Sequence, residues 1–267
     1  MQHPILVTAI RAARKAGDII NRNIDRVNEI RVGAKGPHDF VTEVDQKAEA
    51  AIVEIIQRAY PEHGILAEEG TRIADREYEW IIDPLDGTTN FIHGVPSLAV
   101  SIGVRRQQRL EHAVIYDPLR NELFTASRGA GAHCNDRRIR VSSRRDLDDS
   151  LIATGFPFRD FHYLEEYLRI LQELMQKTAG LRRAGSAALD LAYVAAGRYD
   201  GFFEYHLKAW DIAAGVLLIQ EAGGLATDFH GEQGFLESGN IVAGNLRVHA
   251  QLLQQIQKET AKAAPAV

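Results

Sequence analysis

Apolar residues recur at the spacing of amphipathic helices in several stretches of the chain. The predicted helices cover residues 4–29, 43–59, 161–177, 186–196, 211–222 and a closing segment from about 246. Short apolar runs typical of strands lie between them, at 65–67, 80–83, 98–104, 111–116, 122–126, 201–204 and 241–243. The runs between 98 and 126 follow one another at the spacing of an antiparallel meander. The sequence therefore predicts an α+β protein with layers of helix and sheet.

Composition and charge narrow the class of protein. The chain has 267 residues, of which 45% are hydrophobic and 25% charged, and its net charge is −5. These values are typical of a globular protein with a substantial core, and they provide no overall positive charge for nucleic acid. No apolar run reaches membrane-spanning length and no signal peptide precedes the first helix, so we expect a cytoplasmic protein without membrane contact. We expect one domain over residues 1–267, built from two packed lobes that meet near 145–155.

The cysteine content limits the metals that the chain can hold. Cys134 is its single cysteine, which excludes an intramolecular disulfide and a zinc cluster of thiolates. Any metal is therefore expected to have oxygen ligands, and this favours Mg²⁺ over Zn²⁺.

The segment Trp80–Asn90 combines a strand-like run with the polar groups of a metal and phosphate site. Apolar residues lead to Asp83, and Pro84 is expected to end the strand. Asp86 follows three positions later, close enough to turn back towards Asp83. Gly87 permits a sharp turn, after which the N–H groups of residues 87–89 can face an anion. Carboxylates for cations thus stand beside N–H groups for a phosphate.

Two other interpretations of this segment stay open on its residues alone. Asp-Pro and Asp-Gly pairs are also common in ordinary surface turns. Haloacid-dehalogenase-type phosphatases carry a similar strand that ends in two aspartates, the first of which is a covalent nucleophile. Those aspartates stand two positions apart, whereas Asp83 and Asp86 stand three apart, so the spacing favours Asp83 as a metal ligand.

Other segments offer carboxylates that could converge on the same site. Glu68 follows the short strand at 65–67, in an arrangement that points a carboxylate off a strand end. Asp45 stands three residues after Thr42, which is also the spacing of a helix capping box. Asp211 opens an alanine-rich helix, where capping is again the structural alternative.

Several motifs resemble, in order and spacing, the signatures of the inositol monophosphatase family. These are Glu68–Gly70, Trp80–Asn90 and Trp210–Gly215. The segment Arg183–Arg198 further resembles the bacterial SuhB-type branch of that family. The resemblance spans nearly the whole chain and implies a layered α-β-α-β-α sandwich of the inositol monophosphatase and fructose-1,6-bisphosphatase type. It also implies Mg²⁺ dependence, sensitivity to Li⁺ and a homodimer.

The resemblance also implies roles for individual residues. The first Mg²⁺ has as its ligands Glu68, Asp83, the Leu85 carbonyl and, as a further candidate, Thr88. The second Mg²⁺ is bound by Asp83, Asp86 and Asp211, and a third, weaker ion lies near Glu68. The catalytic set comprises Thr88 and Asp45, which orient the attacking water, together with Glu68. The implied substrate-binding set is Gly87, Thr88, Thr89, Gly185, Ser186, Ala187, Glu204 and Asp211.

The resemblance implies a hydrolase that releases phosphate from myo-inositol 1-phosphate, and it leaves two alternatives. Relatives share the metal and phosphate motifs but act on sugar or nucleotide phosphates such as fructose 1,6-bisphosphate and 3′-phosphoadenosine 5′-phosphate. SuhB-type proteins also imply a partner of the transcription antitermination machinery, with contacts to RNA polymerase or Nus factors. The densest basic stretch, at residues 137–145, is a candidate surface for that role, although its interspersed aspartates are equally typical of a solvated loop.

Overall fold

The computed structural model describes residues 3–36, 39–74, 76–158 and 160–261. The helices within these ranges are α1 Pro4–Asn23, α2 Glu43–Ala59, α3 Thr88–Ile92, α4 Leu164–Lys177, α5 Ala187–Ala195, α6 Ala209–Glu221, α7 Phe235–Ser238 and α8 Leu246–Ala261. A hairpin comes first among the strands, with β1 Val32–Gly36 and β2 Asp39–Thr42. The strands of the larger sheet are β3 Gly64–Ala67, β4 Arg72–Ile73, β5 Tyr78–Asp86, β6 Ala99–Arg106, β7 Arg109–Asp117, β8 Glu122–Ser127, β9 Gly131–Cys134 and β10 Arg137–Arg138. The strands of the smaller sheet are β11 Leu151–Thr154, β12 Gly180–Arg182, β13 Gly201–Glu204, β14 Leu225–Thr227 and β15 Ile241–Gly244.

The elements stack in five layers, which confirms the predicted α-β-α-β-α sandwich. Helices α1 and α2 pack on one face of the eight-stranded sheet, and α5 and α6 cover its other face. The same two helices contact the five-stranded sheet, whose far face carries α4 and α8. Three apolar clusters fill the four helix-to-sheet spaces, because the cluster around α5 and α6 contacts both sheets. The chain passes from the first sheet to the second between Arg138 and Leu151.

The meander from β6 to β8 is antiparallel, as the spacing predicted. The smaller sheet differs, because β11 runs parallel to both β12 and β13. Strands β11, β12 and β14 have three or four residues each and fall outside the predicted runs. The prediction that Pro84 ends its strand was wrong. Strand β5 continues to Asp86 through an irregularity in its pairing with β6, and such a bulge accommodates a proline that cannot donate a ladder hydrogen bond.

Two further boundaries differ from the sequence predictions. The first α-helix ends at Asn23, and residues up to Glu29 form a 3-10 helix with a kink at Arg26. The turn-rich segment after it forms the hairpin of β1 and β2, with residues 37–38 outside the described ranges. None of the described helices is long and apolar enough to cross a membrane.

Close packing of α5 on α6 depends on a glycine. A Cβ atom at Gly215 would lie 2.5 Å from the Cβ of Leu191, so any side chain there must push the helices apart. We expect Gly215→Ala to lower the free energy of unfolding by about 1–3 kcal/mol, the usual cost of overpacking. Urea denaturation measures this change. The control is Gly36→Ala, because no atom of the described residues lies within 4 Å of a Cβ at Gly36. Equal stability of both variants with the wild type would contradict the expectation.

Candidate metal centre and active site

Three carboxylates from two predicted segments meet at the end of β5. One oxygen each from Asp83, Asp86 and Asp211 lies within 4.8 Å of the others. Asp83 is 2% exposed and lies in β5. Asp211 lies in the first turn of α6, a helix of the middle layer. The site therefore lies between strand β5 of the larger sheet and helix α6, which also contacts the smaller sheet.

The bulge in β5 explains how two aspartates three positions apart face the same point. In a regular strand, side chains three positions apart point to opposite faces of the sheet. The pairing with β6 is interrupted between Asp83 and Asp86, and this irregularity allows both side chains to face the same point. The backbone N–H of Leu85 donates to Asp83 Oδ1 at 2.9 Å and fixes the first carboxylate. Bulges of this kind re-aim side chains beside active sites.

The electrostatics of the cluster fit a bound cation. Burial, followed by the charges of Glu68, Asp86 and Asp211, raises the pKa of Asp83 well above its ordinary value. Several acids thus repel one another around one buried carboxylate. Oxygen-only donors with excess negative charge suit a hard divalent cation, which removes this repulsion.

Asp86 is held by the start of α5. Its Oδ2 atom accepts hydrogen bonds from Ser186 Oγ at 2.6 Å and from the Ala188 N–H at 2.7 Å. Ser186 is also the N-cap of that helix, since its hydroxyl accepts the Leu189 N–H at 3.3 Å. The predicted substrate residue Ser186 therefore also positions a candidate metal ligand.

Thr88 and Asp45 form a second unit beside the carboxylates. The Thr88 hydroxyl donates to Asp45 Oδ1 at 2.8 Å and lies 3.2 Å from the Leu85 carbonyl oxygen. Asp45 also completes the capping box of α2, because its Oδ2 accepts hydrogen bonds from the hydroxyl and the N–H of Thr42. Burial raises the pKa of Asp45, and the hydrogen bonds from Thr42 and Thr88 oppose the rise. The capping and the site interpretations of Asp45 are thus compatible.

The remaining predicted residues lie around one cavity of about 340 Å³. Its lining includes Glu68, Asp83, Leu85, Asp86, Gly87, Thr88, Thr89, Gly185, Ser186, Ala187, Glu204 and Asp211. Gly87 has a left-handed backbone with φ 99°, and a Cβ there would lie 2.8 Å from the Ser97 carbonyl. Burial raises the pKa of Glu204 well above its ordinary value, and the charges of Asp190 and Asp211 raise it further.

Sequence reasoning missed the residue that holds the Glu68 loop in place. Glu49 on α2 is 4% exposed and accepts the Glu69 N–H at 2.7 Å. It also accepts the Thr71 N–H at 3.1 Å and the Thr71 hydroxyl at 2.7 Å. An acid on the apolar face of an amphipathic helix was the available signal, since an isolated carboxylate there needs partners.

Removal of the Glu49 carboxylate is expected to weaken Mg²⁺ binding, because the loop that carries Glu68 loses its hydrogen bonds to Glu49. We expect Glu49→Ala to raise the Mg²⁺ concentration for half-maximal activity by about 10- to 100-fold, the usual effect of losing a group that orients a metal ligand. Titration of activity with MgCl₂ measures the shift. Glu54→Ala is the matched control, because Glu54 is an exposed residue of the same helix. A Glu49 variant with unchanged Mg²⁺ response would refute the supporting role.

Comparison with known proteins agrees with this geometry. The model of the inositol monophosphatase family matches residues 1–261. The chain belongs to the inositol monophosphatase family. It is 56% identical over 260 residues to the Nus factor SuhB of Pseudomonas aeruginosa, with 95% of this chain and 96% of the relative covered.

Solved structures of the family share the fold. The crystal structure of extragenic suppressor protein suhB from Bartonella henselae has a TM-score of 0.93 at 46% identity, covering 96% of this chain and 99% of that one. The inositol monophosphatase from Anabaena (Nostoc) has a TM-score of 0.84 at 38% identity, with 95% of each chain covered. Membership of this family supports a phosphatase, and the similar proteins include members named SuhB.

Proposed function

We propose that the protein is a Mg²⁺-dependent phosphomonoesterase that hydrolyses myo-inositol 1-phosphate and related polyol phosphates. The observation that carries this proposal is the convergence of Asp83, Asp86 and Asp211 at one end of a cavity that also contains Glu68 and Thr88. Family membership supports the same chemistry.

The proposed ligands fall into two groups that share Asp83. Glu68, Asp83 and the Leu85 carbonyl would hold one Mg²⁺, Asp83, Asp86 and Asp211 would hold another, and the family pattern adds a third ion near Glu68. Bound Mg²⁺ supplies positive charge for the phosphoryl oxygens and the leaving oxygen, and it lowers the pKa of water.

Thr88 and Asp45 orient the attacking water. Because the Thr88 hydroxyl proton is donated to Asp45, its oxygen is left to accept a hydrogen bond from water. The water oxygen then attacks phosphorus in line with the ester oxygen, whose bond to phosphorus breaks. The attacking water passes its proton to the Thr88 hydroxyl as Thr88 passes its own to Asp45, and burial, which raises the pKa of Asp45, makes it a better acceptor for that proton. The leaving alkoxide takes up a proton from solvent water, and Asp45 afterwards releases its proton to solvent.

The phosphate and the leaving group would share this cavity. The N–H groups of Gly87, Thr88 and Thr89 bind phosphate oxygens where the chain turns into α3. Residues 185–187 and Glu204 also line the cavity, and the carboxylate of Glu204 can accept hydrogen bonds from neighbouring hydroxyls.

A substrate panel tests the proposal. Purified protein is assayed for phosphate release from inositol 1-phosphate, glycerol 2-phosphate, fructose 1,6-bisphosphate and 3′-phosphoadenosine 5′-phosphate, with MgCl₂ or with EDTA. We expect Mg²⁺-dependent release with the highest kcat/KM for inositol 1-phosphate. Release from the nucleotide alone would overturn the substrate, and release in EDTA would overturn the metal dependence.

A second candidate function is a SuhB-like role in transcription antitermination. The 56% identity to a protein named Nus factor SuhB supports it. The basic stretch offers exposed Arg137 and Arg138 at the edge strand β10, whereas Arg144 pairs with Asp149 at 2.8 Å. Co-purification with RNA polymerase or Nus factors that survives Asp83→Asn but not the double substitution of Arg137 and Arg138 by Glu would support this role. Absence of co-purification would remove it.

We also propose that the protein is a cytoplasmic, lithium-sensitive homodimer. Large apolar side chains are exposed on α4 and in the segment between β11 and α4, at Phe156, Phe158, Phe161, Leu168 and Met175. Such exposure supports burial against a second copy. Light scattering of the purified protein gives the mass directly, and a monomer at micromolar concentration would contradict the dimer.

A further inference from the structure

A second buried carboxyl group lies in the active-site cavity and has no assigned role. Asp190 lies on α5, one turn after Ser186, and it is 2% exposed. It lines the same cavity as Glu204, which stands at the end of β13. Its Oδ1 atom is buried, and no described residue donates a hydrogen bond to it.

An unsatisfied buried acceptor is costly and rare in native proteins. Leaving such a group without a donor costs about 1–3 kcal/mol, and more when the group is charged. Burial raises the pKa of Asp190 well above its ordinary value, with a further rise from Asp86 that Arg183 opposes. Because Asp190 lines the cavity, a hydroxyl group of a molecule bound there can donate a hydrogen bond to this carboxyl group.

Gly155 controls the position of the neighbouring Glu204 carboxylate. A Cβ atom at Gly155 would collide with both carboxylate oxygens of Glu204. The backbone of Gly155 does not have the left-handed conformation that favours glycine. Glycine is needed here because a side chain would overlap with the Glu204 carboxylate. Gly155 thus keeps open the place that Glu204 occupies beside Asp190.

We propose that Asp190 is a second acceptor for hydroxyl groups of the leaving alcohol, next to Glu204, and that Gly155 is the residue that permits this pair. The inference rests on the proposed phosphatase function and deepens it. The two acceptors select phosphomonoesters whose alcohol carries at least two free hydroxyls. An alkyl phosphate without hydroxyls gains nothing from them and leaves Asp190 unsatisfied.

Binding and turnover of matched ligands test the proposal. Inositol 1-phosphate and ethyl phosphate share the phosphate but differ in their hydroxyls. Kd values from calorimetry in Ca²⁺, together with kcat and KM in Mg²⁺, are measured for the wild type, Asp190→Ala and Gly155→Ala. Asp160→Ala is the control, because Asp160 also lines the cavity but caps the 3-10 helix that begins at Phe161.

Each variant is expected to change the preference between the ligands. Both should weaken binding of inositol 1-phosphate by at least about tenfold, on the scale of leaving one partner of a buried hydrogen bond unsatisfied, and raise its KM rather than lower kcat. Ethyl phosphate and the Asp160 control should change less than about twofold on the same grounds. Asp190→Ala should also unfold at a higher temperature, since it removes an unsatisfied acceptor.

Other outcomes separate the inference from the proposed function. Equal weakening of both ligands would mean that Asp190 only supports the fold, and it would overturn the inference. Unchanged binding of inositol 1-phosphate would do the same. If no phosphomonoester is hydrolysed by the wild type, the proposed function fails, and the ratio of the two Kd values still decides whether the hydroxyl subsite exists.

Discussion

Asp83→Asn is expected to reduce Mg²⁺-dependent phosphate release from inositol 1-phosphate by about a thousandfold, the scale for removing a preorganised charged group from a reaction centre. Asp83 is the carboxylate shared by both proposed metal sites, and it is buried among three other acids. Asparagine keeps the size of the side chain and the oxygen that accepts the Leu85 N–H. The loss therefore reports on charge rather than on shape. Phosphate release under saturating substrate measures it.

The same variant should be more stable than the wild type without metal. At neutral pH the ionised Asp83 is destabilised by burial and by its acidic neighbours, so removal of its charge raises the unfolding temperature of the metal-free protein. Added MgCl₂ should stabilise the wild type and leave the variant unchanged. Asp228→Asn is the matched control, because Asp228 is also buried and, among the described residues, its side chain accepts hydrogen bonds from backbone N–H groups of its own turn. Near-normal turnover by Asp83→Asn would refute the assignment of Asp83 as a metal ligand.

Thr88→Val is expected to lower kcat by about 100-fold, at the low end of the range for a group that positions or transfers a proton. Valine preserves the shape of threonine but removes the hydroxyl that donates to Asp45 at 2.8 Å. The attacking water then loses its partner, and Asp45 keeps only its bonds from Thr42. Steady-state kinetics at saturating Mg²⁺ give kcat and KM separately.

The Mg²⁺ response distinguishes the two roles considered for Thr88. A residue that orients water leaves the Mg²⁺ concentration for half-maximal activity unchanged, whereas a metal ligand raises it. Thr88→Ser keeps the hydroxyl and should retain most of the activity. Thr260→Val, near the end of α8 and outside the cavity lining, controls for the substitution itself. Full activity of Thr88→Val would exclude both roles.

The layers and most of the proposed metal ligands could be predicted from the sequence, because each depends on a local pattern. Helical spacing located α2, α5 and α6, and the strand before Asp83 located β5. The short strands of the smaller sheet could not be found, since runs of three or four residues carry too little periodicity. Pro84 misled the prediction because its local effect is to end a strand, whereas the pairing of β5 with β6 accommodates it in a bulge.

Residues that act through distant partners were also invisible to sequence reasoning. Glu49 holds the loop at Glu69 from 20 positions away, and Ser186 reaches Asp86 from 100 positions away. The proposed roles of Asp190 and Gly155 depend on Glu204, which lines the same cavity. A sequence pattern identifies a functional residue when its partners are close in sequence. When the partners are distant in sequence, the tertiary structure is needed.

The most direct test of the account is the position of a bound divalent cation. Crystals grown with MnCl₂ and phosphate give an anomalous difference map in which Mn²⁺ stands in for Mg²⁺. The account predicts a peak within about 2.0–2.2 Å of carboxylate oxygens of Asp83, Asp86 and Asp211, the distance typical of octahedral oxygen sites. An active enzyme whose crystals show Mn²⁺ elsewhere, with no peak between these three aspartates, would contradict it.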